Sequence, residues 1–137
     1  MEGGVVVDKY YYVVRGAEIF CDCGSHVRKL NLPVSHGSFV GDKPMMHERD
    51  CKVEENISSF GICYSEKNQS GETIYLISMD NQQIQGKPCC PELLGDTWTK
   101  TKSKVKVDGE SALTTDSELY CKLGGIIKFA SNGQQSE

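Results

Sequence analysis

The chain has 137 residues, 38% of them apolar, seven cysteines, and a net charge of −4 with both signs mixed along its length. That length fits one domain over 1–137 and buries roughly 68% of the unfolded surface, enough for a modest core. The acidic balance excludes the basic stripe of a nucleic-acid surface, so no nucleic-acid partner is expected. No run reaches the ~18 apolar residues of a membrane helix. Met1-Glu2-Gly3-Gly4 lacks the basic start of a secretory signal, and Asp8 and Lys9 cut short Val5-Val6-Val7. The expectation is synthesis in the cytoplasm without a signal peptide.

In chain order, Val5 to Val14 is rich in valine and tyrosine and predicts a strand broken by Gly16. Ala17 to Cys23 resumes an extended pattern, which would put Cys21 and Cys23 on one strand face with Asp22 opposite. Leu30 to Gly37, interrupted by Pro33, suits an edge strand or an extended loop. Gly41-Asp42-Lys43-Pro44 signals a turn, and Met45 to Cys51 reads as polar loop. Phe60-Gly61-Ile62-Cys63 returns the chain to a thiol. Thr73 to Ser78 predicts a strand, and Asn81 to Gly86 a polar connection.

Pro88-Cys89-Cys90-Pro91 is rigid, and its adjacent cysteines face opposite ways in an extended chain. Lys104 to Val107, Asp108-Gly109 and Ser111 to Thr114 form the strongest hairpin signal in the chain. Ser117 to Lys122 and Ile126 to Ala130 predict the last strands, and 131–137 a polar, mobile tail. No long segment keeps helical spacing, so the predicted fold class is mainly β.

Seven cysteines without an export signal favour metal ligation over disulfides or inert buried thiols. Cys21, Cys63 and the Cys89-Cys90 pair recur in contexts that suit partnership with Cys121 in Cys121-Lys122-Leu123-Gly124-Gly125. There is no C-x-x-C pair, so a common zinc module is not indicated; the fold would have to return to one point several times. Among His26, His36 and His47, His36 is the strongest candidate ligand because it sits among apolar residues and turns. No phosphate loop, nucleophile elbow or coupled cysteine–histidine signature is present, so no catalytic residue is assigned and no enzyme is expected. Asn56-Ile57-Ser58 and Asn68-Gln69-Ser70 match the glycosylation pattern by chance.

Several short motifs occur in a specific order: Tyr12-Val13-Val14-Arg15-Gly16-Ala17, Cys21-Asp22-Cys23-Gly24, Leu30-Asn31-Leu32-Pro33-Val34, Asp50-Cys51, Phe60-Gly61-Ile62-Cys63, Lys87-Pro88-Cys89-Cys90-Pro91, Val107-Asp108-Gly109-Glu110 and Leu119-Tyr120-Cys121-Lys122-Leu123-Gly124-Gly125. Over about residues 10–130 the chain resembles the PAAR-like spike-tip family, the cysteine-containing relatives of PAAR-repeat proteins. The resemblance implies a small β-cone or β-prism of short strands and hairpins with a metal near its point. It implies a structural cap on the trimeric β-helical spike of a contractile injection apparatus, such as type VI secretion or a phage-tail-like particle. One copy would sit on each spike trimer, sharpen it for membrane piercing and carry effector or toxin cargo. The implied cofactor is one structural Zn²⁺ per chain, held by Cys21, Cys63, Cys89 and Cys121. Cys23, Cys51, Cys90 and His36 stand as alternatives. The alternative function is a zinc-stabilised protein-binding adaptor without a puncturing role.

Overall fold

The computed structural model describes residues 11–134, and over these the protein is mainly β, with no helix. Ten short strands run β1 (Glu18–Cys21), β2 (Arg28–Lys29), β3 (Phe39–Val40), β4 (Lys43–Pro44), β5 (Ile74–Ile77), β6 (Gln83–Gly86), β7 (Lys102–Val107), β8 (Glu110–Ala112), β9 (Leu119–Tyr120) and β10 (Ile126–Phe129). The central antiparallel sheet has the order β2-β1-β10-β9, and the rest are two-stranded hairpins, β3–β4, β5–β6 and β7–β8. Val5 to Tyr10 lie outside the described residues. The remainder of that predicted first strand makes isolated bridges, Tyr12 to Thr114 and Val14 to Met45.

Two-residue alternation decides which side chains of the central sheet go inward. In β1, Ile19 and Cys21 are buried while Glu18 is exposed; they lie opposite Phe129 and Ile127 of β10. Ile19, Cys21 and Ile127 join Val13, Leu30, Met46, Ile57, Phe60, Leu113 and Leu119 in one core. Trp98 closes it: the side chain is 2% exposed, its ring stacks on Phe129 at 4.8 Å, and its Nε1 donates to the Asp50 carbonyl at 2.9 Å. A smaller cluster of Val14, Met45, Val107 and Ala112 packs under β7–β8.

The β7–β8 turn is the predicted Asp108-Gly109 turn. Both residues are left-handed, at φ 51° and 84°, as a two-residue hairpin of matching twist requires. Four readings differ from the sequence. β1 ends at Cys21, where the Gly24 N–H returns to the Cys21 carbonyl at 2.9 Å; Cys23 therefore lies in a turn and not on the strand. Gln83–Gly86 is a strand, paired with β5 in an exposed hairpin, although its sequence is polar. Met45, Met46 and His47 are buried because Met46 N–H donates to Val13 O and Leu113 N–H to Met46 O, drawing the segment inward. The chain from 131 to 134 is docked: Asn132 is buried, Val14 N–H donates to its carbonyl, and Gln134 Nε2 donates to the Tyr12 carbonyl. Asn56 and Asn68 are buried and hydrogen-bonded, as suits amides that are not glycan acceptors.

Trp98→Ala is expected to lower the unfolding free energy by about 3–5 kcal/mol in urea titrations, the usual cost of emptying a buried aromatic site. Tyr75→Ala, on a side chain 62% exposed, should stay within about 0.5 kcal/mol of the parent. Equal effects of the two would contradict the placement of the core.

Candidate functional site

Four separate passes of the chain bring thiols to one place. Cys21 is the last residue of β1, and the turn at Gly24 carries Cys23 back beside it. Gly24 bridges to Cys63, whose own N–H donates to the Lys87 carbonyl at 2.9 Å. Ile62 bridges to Pro88, and Cys89 N–H donates to the Gly61 carbonyl at 2.8 Å, which sets the third pass. Leu93 bridges to Cys121, which is held in a tight reversal by Cys121 N–H to Gly125 O, 2.9 Å, with Gly124 at φ 99°.

The result is a small cavity of about 10 Å³ lined by Cys21, Cys23, Cys63, Cys89, Cys90 and Cys121, close to the space one water needs. Its walls are tight. A Cβ on Gly125 would lie 2.5 Å from Cys21 Sγ, and one on Gly24 would lie 2.6 Å from Phe60 Cβ, so neither glycine can be replaced without displacing a wall. All four cysteines expected as ligands reach this cavity, together with Cys23 and Cys90. Cys51 does not: it is buried near Leu93 and Asp96 on another side of the core.

Burial makes three of these thiols hard to ionise. It pushes Cys21 up to about 11, and raises Cys23 and Cys89 in the same direction. Cys51 is also pushed up to about 11 by burial, with Asp96 and Asp50 adding to the effect. Raised values make these thiols poor nucleophiles at neutral pH. Binding a metal at them has to expel protons, so affinity rises with pH.

A second donor cluster lies elsewhere. His36 Nε2 is 3.0 Å from both carboxylate oxygens of Asp50, and His47 Nδ1 is 3.6 Å from Asp50 Oδ2. The two imidazoles stack at 4.0 Å with 21° between their planes. Asp50 is held firmly: Oδ2 accepts the His47 backbone N–H at 2.7 Å, and Asp50 N–H donates back to the His47 carbonyl at 3.0 Å. Asp108, in the β7–β8 turn, stands 3.7 Å from the other nitrogen of His36.

Donor atoms of His36, His47 and Asp50 all lie within 4.8 Å of one another, and this cluster can hold a metal ion. It is the one such group of three found among the described residues. His36 is the histidine singled out from sequence. His47 is one of the weaker histidine candidates named from sequence, and Asp50 is not among the expected ligands; the i, i+3 spacing of the two, with the aspartate capping its own turn, is the signal that points to Asp50. His26 is occupied otherwise, by Ser25 Oγ at 2.7 Å and the Ile77 carbonyl at 2.8 Å.

These features define a mainly β domain of short hairpins, with a thiol-lined cavity and a separate histidine–aspartate cluster able to take a metal. A family model described as a domain of unknown function, DUF4280, matches residues 13–134, and the chain belongs to that family. No curated protein and no solved structure matches the chain at a significant level.

Thiol accessibility gives a direct check on this arrangement. In chelator-treated protein near neutral pH, iodoacetamide should label the exposed Cys90 first and the buried Cys21 and Cys51 last. Modification of Cys21 and Cys51 should accelerate only as the pH climbs from about 9 toward about 11, where these thiols ionise. Peptide mass mapping reads the order. Labelling of Cys51 as fast as Cys90 in folded protein would rule out its burial.

Proposed function

We propose that this chain is a spike-tip protein of a contractile injection apparatus, seated as one copy on the end of a trimeric β-helical spike. The observation that carries the reading is the convergence of six cysteines, from four distant passes of the chain, on one small cavity. The order of motifs that resembles the PAAR-like family runs through those same passes, and the DUF4280 match covers nearly all of them. A narrow tip has little room for packed side chains, so a cross-link through a metal is the economical way to hold it. A structural zinc is worth about 10–16 kcal/mol, against about 5–15 kcal/mol for the stability of an entire domain.

In this reading zinc is held by Cys21, Cys63, Cys89 and Cys121, one from each pass, with Cys23 and Cys90 beside them. The donor chemistry fits, since soft thiolates suit zinc. Tetrahedral thiolates at about 2.3 Å from zinc stand about 3.8 Å apart, the spacing this cavity has to offer. The ion supplies a structural bond. The residues around it do the rest: Gly125 and Gly24 leave the space, and the backbone bridges at Cys63, Cys89 and Cys121 bring the ligands in already oriented. Spike binding, delivery to the outside of the particle on contraction, transient contact with the target membrane and carriage of effectors belong to the same proposal.

The adaptor reading draws on a different observation. The β5–β6 hairpin stands out from the body with Tyr75, Ile77 and Met79 each about 60% exposed, an apolar surface of the kind that partners cover.

Protein purified without chelator should contain at least one zinc per chain by elemental analysis. Serine at Cys21, Cys63, Cys89 or Cys121 should lower the zinc content by one ion per chain and reduce thermal stability, while Cys90→Ser should be mild. A zinc content unchanged from wild type in all four single variants would exclude this ligand set. Native mass spectrometry of the metal-loaded protein with its cognate spike should give one copy per trimer. Three copies per trimer would favour the adaptor, and no binding by the folded, loaded protein would exclude the cap.

A further inference from the structure

We propose that His36, His47 and Asp50 form a second metal site, independent of the thiols, for a divalent first-row transition ion such as Zn²⁺, Co²⁺ or Ni²⁺. Two imidazoles and one carboxylate select this class of ion over magnesium or calcium, which prefer all-oxygen shells.

The donor spacing fits such an ion. Nitrogen and oxygen ligands at about 2.0–2.1 Å in a tetrahedral shell stand about 3.3 Å apart. His36 Nε2 stands 3.0 Å from Asp50 Oδ1 and His47 Nδ1 3.6 Å from the Asp50 carboxylate at Oδ2, while the three donors as a set lie within 4.8 Å of one another, so the widest pair closes on binding. Three protein ligands leave a fourth position for water.

The protonation states fit as well. His47 Nδ1 accepts the Arg49 backbone N–H at 3.1 Å, so its lone pair is free of a proton. Arg49 is solvent-exposed, and water can replace that acceptor when an ion takes the lone pair. His36 ligates through Nε2, and its proton shifts to Nδ1 or to solvent. Asp108 Oδ2, 3.7 Å from Nδ1, is placed to orient the ring from behind. This carboxylate–histidine–metal order is the usual support of a metal-bound imidazole. Asp50 keeps Oδ2 on the His47 N–H at 2.7 Å and offers Oδ1 to the ion.

An ion here would tie together three segments: the irregular stretch around His36, the His47–Asp50 turn and the β7–β8 turn. None of its ligands lines the thiol cavity, so the proposal stands whether or not zinc binds the cysteines.

Cobalt separates the two sites, because thiolate ligands give an intense near-ultraviolet charge-transfer band and a nitrogen–oxygen site does not. The full chain, stripped by chelator under reducing conditions, is titrated with Co²⁺, and bound ions are counted by native mass spectrometry. Wild type should take up one more Co²⁺ than His36→Gln, and the missing ion should carry no thiolate band. Asp108→Asn should weaken that ion about 10–100-fold. His36 lies at the edge of the core, so His36→Gln tests the site without removing the Asp50 turn; circular dichroism and melting of the metal-free variant verify that it is folded. Equal ion counts in folded wild type and His36→Gln would overturn the proposal, as would loss of a thiolate band with the missing ion. A wild type that binds a single Co²⁺ without a thiolate band, lost in His36→Gln, would support this site while removing the thiol assignment.

Discussion

Strands of two to six residues cannot satisfy a backbone within regular elements. This chain meets the requirement by bonding distant segments one or two residues at a time. Val13 N–H goes to Leu113, Val14 to Asn132, Arg15 to Pro44 and Gly16 to Leu30. Four consecutive residues thus pair with four different parts of the chain. The body has no long ladder whose loss could be local, and its contacts are dominated by residues far apart in sequence. Such topologies fold slowly, because the entropy of closing large loops is spent before the contacts that reward it form.

The same constraint explains where chemistry collects. A chain that returns repeatedly to one place can deliver one side chain per visit, and the visits at Cys21, Cys63, Cys89 and Cys121 deliver sulfur. Each is fixed by a backbone bond in the same residue or its neighbour, so the thiols are placed by the fold and not by a local motif. The histidine–aspartate cluster is built differently. A single turn makes the His47–Asp50 half, and one long-range approach adds His36. Asp50 also links the cluster to the core, since its carbonyl takes the indole N–H of Trp98.

What could be read from the sequence follows this division. Asp108-Gly109 was legible because a two-residue hairpin demands left-handed residues, and Ile74 to Ile77 because β-branched side chains crowd a helix. Gln83 to Gly86 was not legible: both its faces are largely open to solvent, so no apolar periodicity marks it as a strand. Cys23 was misplaced because the reversal at Gly24 rests on a single bond to Cys21. Asn132 and Gln134 looked like tail because their anchors are main-chain groups of Tyr12 and Val14, which leave no hydrophobic trace. Cys21, Cys63, Cys89 and Cys121 line one cavity, but the spacing between them carries no signal of it. Asp50 escaped notice because its role depends on a histidine fourteen residues away.

The docking of Gln134 on Tyr12 has a topological consequence. The two ends of the described chain lie side by side, tied by Val14 to Asn132 and by Gln134 to Tyr12. A domain joined ahead of Tyr11 and one joined beyond Gln134 would therefore issue from the same point and compete for the same volume. Closing that gap with a short linker and opening the chain elsewhere would leave every bridge of the fold in place. The natural opening is the β5–β6 turn, whose tip contributes nothing to the core. In a rearranged chain of this kind the body keeps its contacts, while anything fused to it is carried to the opposite end of an exposed hairpin.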